Sequence, residues 1–350
     1  MTLSETLERV DPSGMYAAVQ AFPEHLAEGW RCGAPSEAFG LDGANLDGVV
    51  IGGMGGSAIG GDLLRTLAER EASVPVQVVR GYDLPGWVSE RTLVVASSYS
   101  GGTEETRSLY DQAVRRGARI VAVTAGGAVL ERARAEGHPH LVIPGGLQPR
   151  AALGYSLGAL LRLGRAAGLL ALSDAEAEAA VAEARERVET YRHAGSNPAR
   201  DLAAAFRDRI VLVYSGTGLL EAVNLRWRTQ LHENAKAPAF GNLFPELDHN
   251  EIMGFEAAAS DLAARLVVAA LRDRDDHPQV RRRIEATREI VAPQVGGWYE
   301  VEAEGTGRLS RMLSLIQLGD WVSFWLAVER GVDPTPVGSI QRLKEELARS

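Results

Sequence analysis

The chain has 350 residues, enough for two globular units that each bury a core, and its composition, 45% hydrophobic and 24% charged, excludes wholesale disorder. A formal charge of −9, with no basic run longer than Arg281-Arg282-Arg283, excludes nucleic acid and acidic membrane surfaces as partners. The single cysteine, Cys32, excludes an intrachain disulfide and a thiolate metal cluster.

The N-terminal residues, Met1 to Arg9, lack the basic start and apolar core of a secretory signal. The apolar stretch around Ala151 to Leu163 is broken by Arg162 and glycines and falls short of a membrane span. A cytoplasmic location is therefore expected. From Asp47 onward the pattern alternates. Gly48-Val49-Val50-Ile51 predicts a strand, Ser57 to Glu69 a helix, and Val76-Gln77-Val78-Val79 the next strand. Leu93 to Ala96, a helix from Glu104 to Arg116, Ile120 to Val123, a short helix near Ala128 to Ala135, and Leu141 to Ile143 continue it. Short unbroken apolar runs separated by amphipathic helices predict parallel strands covered on both faces, hence a doubly wound α/β unit.

Residues 151 to 193 are Ala- and Glu-rich and helical in pattern, ending before Gly195-Ser196-Asn197-Pro198. A second βα unit then starts: Ile210 to Tyr214 runs into Ser215-Gly216-Thr217-Gly218 and a helix from Leu219 to Leu231. Strands at Leu266 to Leu271 and Trp298 to Glu302 follow, with helices at 278–291, 309–328 and 340–349. The echo of residues 49–69 predicts two copies of one αβα unit, each a mainly parallel sheet flanked by helices. The expected division is 1–155 with a helical lead-in, a helical connection over 156–197, and 198–350 with a C-terminal helix.

Two loops carry the chemistry. The first, Gly52-Gly53-Met54-Gly55-Gly56-Ser57-Ala58, follows a strand and opens a helix, so its glycines admit an anion to free backbone N–H groups at the helix start. A plain tight turn with close helix packing is the alternative. The same segment fits a dinucleotide fingerprint, Gly53-x-Gly55-x-x-Ala58. However, Arg80 stands where a ribose-binding acid belongs, which leaves only an NADP-type oxidoreductase as a rival. The second loop, Ser97-Ser98-Tyr99-Ser100-Gly101-Gly102-Thr103-Glu104, gathers hydroxyls at Ser98, Ser100 and Thr103 where the next helix begins. One hydroxyl makes an ordinary helix cap, whereas three in six residues suit the terminal oxygens of a phosphate monoester.

The segments GMGGSAIGGD, SSYSGGTEET, Pro149-Arg150-Ala151-Ala152-Leu153-Gly154, His232-Glu233-Asn234-Ala235-Lys236 and Asp248-His249-Asn250-Glu251 resemble, in that order, the bifunctional phosphoglucose/phosphomannose isomerases. The resemblance spans nearly the whole chain. It implies two sugar isomerase domains, a homodimer with shared active sites, sugar 6-phosphate substrates and no metal or redox cofactor. It also implies interconversion of glucose 6-phosphate and mannose 6-phosphate with fructose 6-phosphate through a cis-enediolate.

Residue by residue, it makes Glu233 the base that moves a proton between C1 and C2, a task a carboxylate performs in both directions. It makes Arg150 the cation beside the enediolate oxygens, His249 the ring-opening group, contributed by the partner subunit in related enzymes, and Lys344 an assistant near the ring oxygen. Gly55, Gly56, Ser57, Ser98, Ser100 and Thr103 fall on the phosphate and sugar contacts. Without the resemblance, Glu233 reads as a surface acid near a helix end, Arg150 as a surface arginine at a helix start and Lys344 as a solvated helical lysine. Gly102 departs from the asparagine common in the family's Ser-Gly-Asn-Thr loop. Thr335, between Pro334 and Pro336, is either a loop residue or a source of room for rotation about C2–C3. In His138-Pro139-His140 the intervening proline makes a weak zinc site. A sugar-phosphate sensor without catalysis is a further alternative, but the acidic first 45 residues offer no basic recognition helix.

Overall fold

The computed structural model describes all residues except 1, 33–38, 40, 42–44, 258–259, 348 and 350, so part of the acidic N-terminal stretch and of the 340–349 helix lies outside the described residues. Three helices lead in: α1 (Leu3–Val10), opened by a capping box between Thr2 and Glu5, α2 (Met15–Gln20) and α3 (Phe22–Arg31). The alternation follows as β1 (Gly48–Gly52), α4 (Gly55–Ala68), β2 (Val76–Val79), β3 (Thr92–Ser98), α5 (Glu104–Arg115), β4 (Arg119–Thr124), α6 (Gly127–Glu136) and β5 (His140–Val142). These five strands are parallel, in the order β2-β1-β3-β4-β5. Strands β1 and β3 are buried along their whole length, which is why their sequences are unbroken apolar runs.

Helices α7 (Leu153–Ala166), α8 (Asp174–Tyr191) and α9 (Pro198–Phe206) lead to β6 (Ile210–Gly216), α10 (Glu221–Glu233) and β7 (Ala239–Phe244). Two 3-10 turns (Glu246–His249 and Glu251–Phe255) and α11 (Ser260–Ala263) precede β8 (Leu266–Arg272), α12 (Pro278–Val291) and β9 (Trp298–Glu302). The chain closes with α13 (Arg308–Arg330) and α14 (Gly338–Leu347). The second sheet is parallel and ordered β7-β6-β8-β9, repeating the first sheet's winding without its outermost strand. The expected duplication of one α/β unit is therefore visible in the strand order. In both sheets the first strand is flanked by its two successors, and the crevice beyond its carboxyl end is the natural ligand position.

Two elements differ from the sequence reading. Strand β7 has no apolar alternation: its Ala-Phe-Gly-Asn-Leu-Phe sequence sits at a sheet edge, where Phe240 is 59% exposed and pattern constraints are weak. Helix α10 runs two residues beyond Leu231, so Glu233 is its last residue rather than part of the following segment.

One apolar core joins the inner faces of both sheets through α4, α7, α10 and α13, with Ile51, Leu63, Leu157, Val213, Trp227, Trp321 and Trp325 among its members. Each buried indole contributes on the order of 4–6 kcal/mol before ordering entropy is subtracted. The outer face of the first sheet packs Val50 and Val94 under α5 and α6. The outer face of the second packs Leu212 and Tyr214 under α12 and the 3-10 turns, through Leu247, Phe255 and Ile284. Helices α4 and α10 run antiparallel across the middle, since Arg65 near the end of α4 pairs with Glu221 at the start of α10 at 2.7 Å. The start of α4 therefore meets the end of α10. Among the described residues no helix is long and apolar enough to cross a membrane.

Candidate active site

The two loops of the first unit meet at the carboxyl ends of β1 and β3. The Ser57 hydroxyl accepts the Tyr99 backbone N–H at 2.9 Å, which ties the first loop to the second. Tyr99 in turn accepts the Leu147 N–H on its hydroxyl at 3.1 Å, holding the stretch that leads to Arg150. Ser98 and Thr103 share a hydrogen bond between hydroxyls at 2.9 Å, and exposed Ser100 accepts the Gly102 N–H at 3.3 Å. Thr103 does not cap α5 with its side chain, and Met54, ahead of α4, cannot cap its helix at all. Two helix starts thus present N–H groups without side-chain caps beside a hydroxyl cluster, an arrangement complementary to an anion. Gly102 has open space around it: an added Cβ would meet only the Ser100 hydroxyl, at 4.0 Å.

Gly56 is where the first loop meets the turn that carries Arg150. A Cβ there would lie 2.7 Å from the Pro149 carbonyl oxygen and 3.2 Å from the Arg150 nitrogen, so only glycine permits this approach. Arg150 is 3% exposed, and its guanidinium is fully engaged. Nε donates to Asn234 Oδ1 at 2.7 Å, Nη2 donates to the Pro334 and Thr335 carbonyls at 2.7 and 2.9 Å, and Nη1 lies 3.3 Å from Glu233 Oε2. Burial holds its pKa below the usual arginine value, with Glu233 opposing, yet the group stays charged because that value lies far above any working pH. Behind it, Arg226 donates to the Arg150 carbonyl at 3.0 Å and pairs with buried Asp320 at 2.7 Å.

Glu233 remains 30% exposed on its side chain, accessible to a small molecule while one oxygen faces the arginine. Two neighbours in the same segment were quoted in the sequence without a function. Asn234 is fully buried and spans from Arg150 to the Ser323 hydroxyl at 2.9 Å. Lys236 adopts a left-handed backbone with φ of 52° and donates from Nζ to the Glu233 carbonyl at 2.6 Å and the Pro334 carbonyl at 3.0 Å. Burial first, and then the Arg150 charge, lowers its ammonium pKa. Motif spacing alone does not reveal the bonds to Arg150, Ser323 and Pro334, whose partners are 84, 89 and 98 residues away.

Other candidates lie elsewhere. His249 closes the first 3-10 turn on the outer face of the second sheet, whereas α10, which carries Glu233, packs on the inner face. The sheet stands between them. Lys344 is exposed on α14, which begins a few residues after the Pro334–Thr335 carbonyls that hold Arg150. Thr335 turns its carbonyl to Arg150, and its hydroxyl is buried without a hydrogen-bond partner. Arg80, which an NADP site would require, is committed to an ion pair with Asp62 on α4. His138 is bonded to the Tyr110 hydroxyl at 2.6 Å and its carbonyl to the His140 ring, so the His-Pro-His segment has a structural use.

Fold and site define a sugar isomerase of the duplicated SIS type, and the comparisons with known proteins agree. The family described as the bacterial phospho-glucose isomerase C-terminal SIS domain matches residues 195–347. The solved structure of a hypothetical protein from Thermus thermophilus superposes with a TM-score of 0.76 over 99% of this chain and 92% of its own, at 19% identity. The bifunctional phosphoglucose/phosphomannose isomerase of Caldicellulosiruptor bescii is 41% identical over 95% of this chain and 99% of its own. That of Aquifex aeolicus is 37% identical over 86% of this chain and 91% of its own. The chain belongs to the bifunctional phosphoglucose/phosphomannose isomerase family.

Proposed function

We propose that the chain interconverts glucose 6-phosphate and mannose 6-phosphate with fructose 6-phosphate, using its own side chains and no metal or redox cofactor. The observation that carries this reading is the juxtaposition of Glu233 and Arg150 at 3.3 Å beside the hydroxyl-lined loops. With the phosphate on Ser57, Ser98, Ser100 and Thr103 and the N–H groups around Gly55 and Gly56, C1 and C2 of the open sugar extend toward Glu233. Its carboxylate takes the proton from C2 of the aldose and returns it to C1, while the proton on O2 passes to O1 as the carbonyl moves. Negative charge accumulates on the two oxygens in between, and a buried, immobile guanidinium stabilises it without reorganising at that moment. Arg150 is immobile because three acceptors besides Glu233 hold it.

Hexose phosphates must open before this step. His249, assigned to ring opening, lies across the sheet from Glu233 of its own chain. This supports a homodimer in which each site takes His249 from the other subunit, with Lys344 of α14 assisting near the ring oxygen. The division into units at 1–155, 156–197 and 198–350, and a cytoplasmic location among phosphorylated sugars, belong to the same proposal. A sensor without catalysis has no use for a carboxylate paired with a buried arginine beside the anion loops. The test is a coupled assay on both aldose phosphates with and without chelator, together with Glu233→Gln. Turnover on both substrates that survives chelation, and a Glu233→Gln protein that binds substrate without converting it, are expected. Near-normal turnover of that variant would remove the assigned base.

A further inference from the structure

Two acids beside the exposed His249, Asp248 and Glu251, are both tied to the protein by their carboxylates. Asp248 uses both carboxylate oxygens inward: Oδ2 accepts from Arg283 Nη1 at 2.9 Å and Oδ1 from the Thr287 hydroxyl at 2.9 Å, both on α12. Glu251 does the same on the sheet, where Oε1 accepts from the Tyr214 hydroxyl of β6 and Oε2 from Asn242 Nδ2 of β7 at 2.8 Å. Asn250 closes the turn between them, accepting the Glu251 N–H at 2.6 Å and donating to Glu246 at 2.9 Å. Tyr214 and Thr287 are at most 2% exposed, so these anchors sit in the protein's interior. Burial and the neighbouring Glu251 raise the Tyr214 pKa, which keeps its hydroxyl a donor. His249 itself is exposed and forms no hydrogen bond among the described residues.

Both acids spend both carboxylate oxygens on partners within the protein. They fix the backbone on either side of a single exposed imidazole. We propose that Asp248 and Glu251 are positioning residues that hold the His249 imidazole outward, in the orientation it needs to enter the site of a second copy of this chain. The inference rests on the shared-site reading above. An imidazole that must cross between subunits gains nothing from its own chain's pocket. Its geometry is set by its backbone, and a displacement of about 1 Å is enough to lower turnover roughly 100-fold.

The test uses full-length dimers carrying two affinity tags, so that hybrids of two variants are isolated. Glu251→Gln and Asp248→Asn are expected to lower kcat about 10–100-fold while KM for the hexose 6-phosphate stays within about twofold, because the phosphate loops lie in the other unit. A hybrid of Glu251→Gln with Glu233→Gln is expected to recover about half the wild-type kcat, since a two-fold dimer carries two equivalent sites and one is intact. A hybrid of Glu251→Gln with His249→Ala is expected to stay impaired. Tyr214→Phe removes a single hydroxyl and keeps the ring packing, and it is expected to follow the same pattern should the acid variants fail to fold. Wild-type kcat in all three variants overturns the inference. So does a Glu251→Gln defect that Glu233→Gln does not rescue while it does rescue His249→Ala. If His249→Ala and Glu233→Gln fail to complement each other, the shared site itself is wrong and the inference falls with it.

Discussion

Arg150 and Asn234 come from different units of the chain and meet in the buried interior, Nε to Oδ1, at 2.7 Å. The amide's other end is fixed by Ser323, so the guanidinium is held from behind by a residue that is itself fully buried. Asn234→Ala leaves a buried cationic donor without its acceptor. The expected cost is about 1.5–3 kcal/mol of folding stability, the usual range for hydrogen bonds to charged groups. A fall in kcat/KM of roughly tenfold or more should accompany it, as the arginine loses its fixed plane. Chemical denaturation and steady-state kinetics read the two effects separately. A variant with unchanged kcat/KM would show that Arg150 holds its plane through Pro334 and Thr335 alone.

Two glycines in the anion loops should respond in opposite ways. Gly56→Ala places a methyl group 2.7 Å from the Pro149 carbonyl, so the Arg150 turn must shift. About 1–3 kcal/mol of destabilisation is expected from such overpacking, with a marked loss of kcat. In Gly102→Asn the added Cβ meets nothing closer than 4.0 Å, and the position requires no left-handed backbone. It should leave stability within about 0.5 kcal/mol and KM nearly unchanged. Thermal melts and KM measurements on both variants check the contrast.

Stability should also carry a pH signature from Asp276, behind β8. Burial raises its pKa to about 6, and the backbone hydrogen bond from Asp273 and then the Arg272 charge only partly offset this. The folded value lies above the unfolded one, so between about pH 4 and 6 the folded chain binds more protons than the unfolded chain and stability falls as pH rises. Asp276→Asn removes the ionisation. It is expected to stabilise the protein at pH 7.5 by on the order of 1–2 kcal/mol and to confer no such gain at pH 4. Unfolding midpoints at the two pH values decide it, and an equal effect at both would assign the change to packing instead.

The order of strands and helices was legible because parallel strands buried on both faces leave continuous apolar runs, as in β1, β3 and β8. Strand β7 was not, since an edge strand with one exposed side tolerates glycine and asparagine. The two loops at the carboxyl ends of β1 and β3 were legible for a similar reason: glycines and hydroxyls at a strand-to-helix turn are local features. Thr103 does not cap α5 with its side chain, and its hydroxyl instead shares a hydrogen bond with Ser98.

Sequence by itself determined the α/β class, the duplication, the two glycine- and hydroxyl-rich loops and, through ordered motifs, the family. These depend on periodicity and on neighbours within a few residues, which a linear chain displays directly. Only the tertiary structure decided what orients Arg150, because Asn234, Pro334 and Thr335 reach it from 84 to 185 positions away. It alone also separated Glu233 from His249, which stand 16 residues apart in sequence and on opposite faces of one sheet. Nearness along a chain carries no information about which face of a sheet a residue occupies once a strand and a turn intervene.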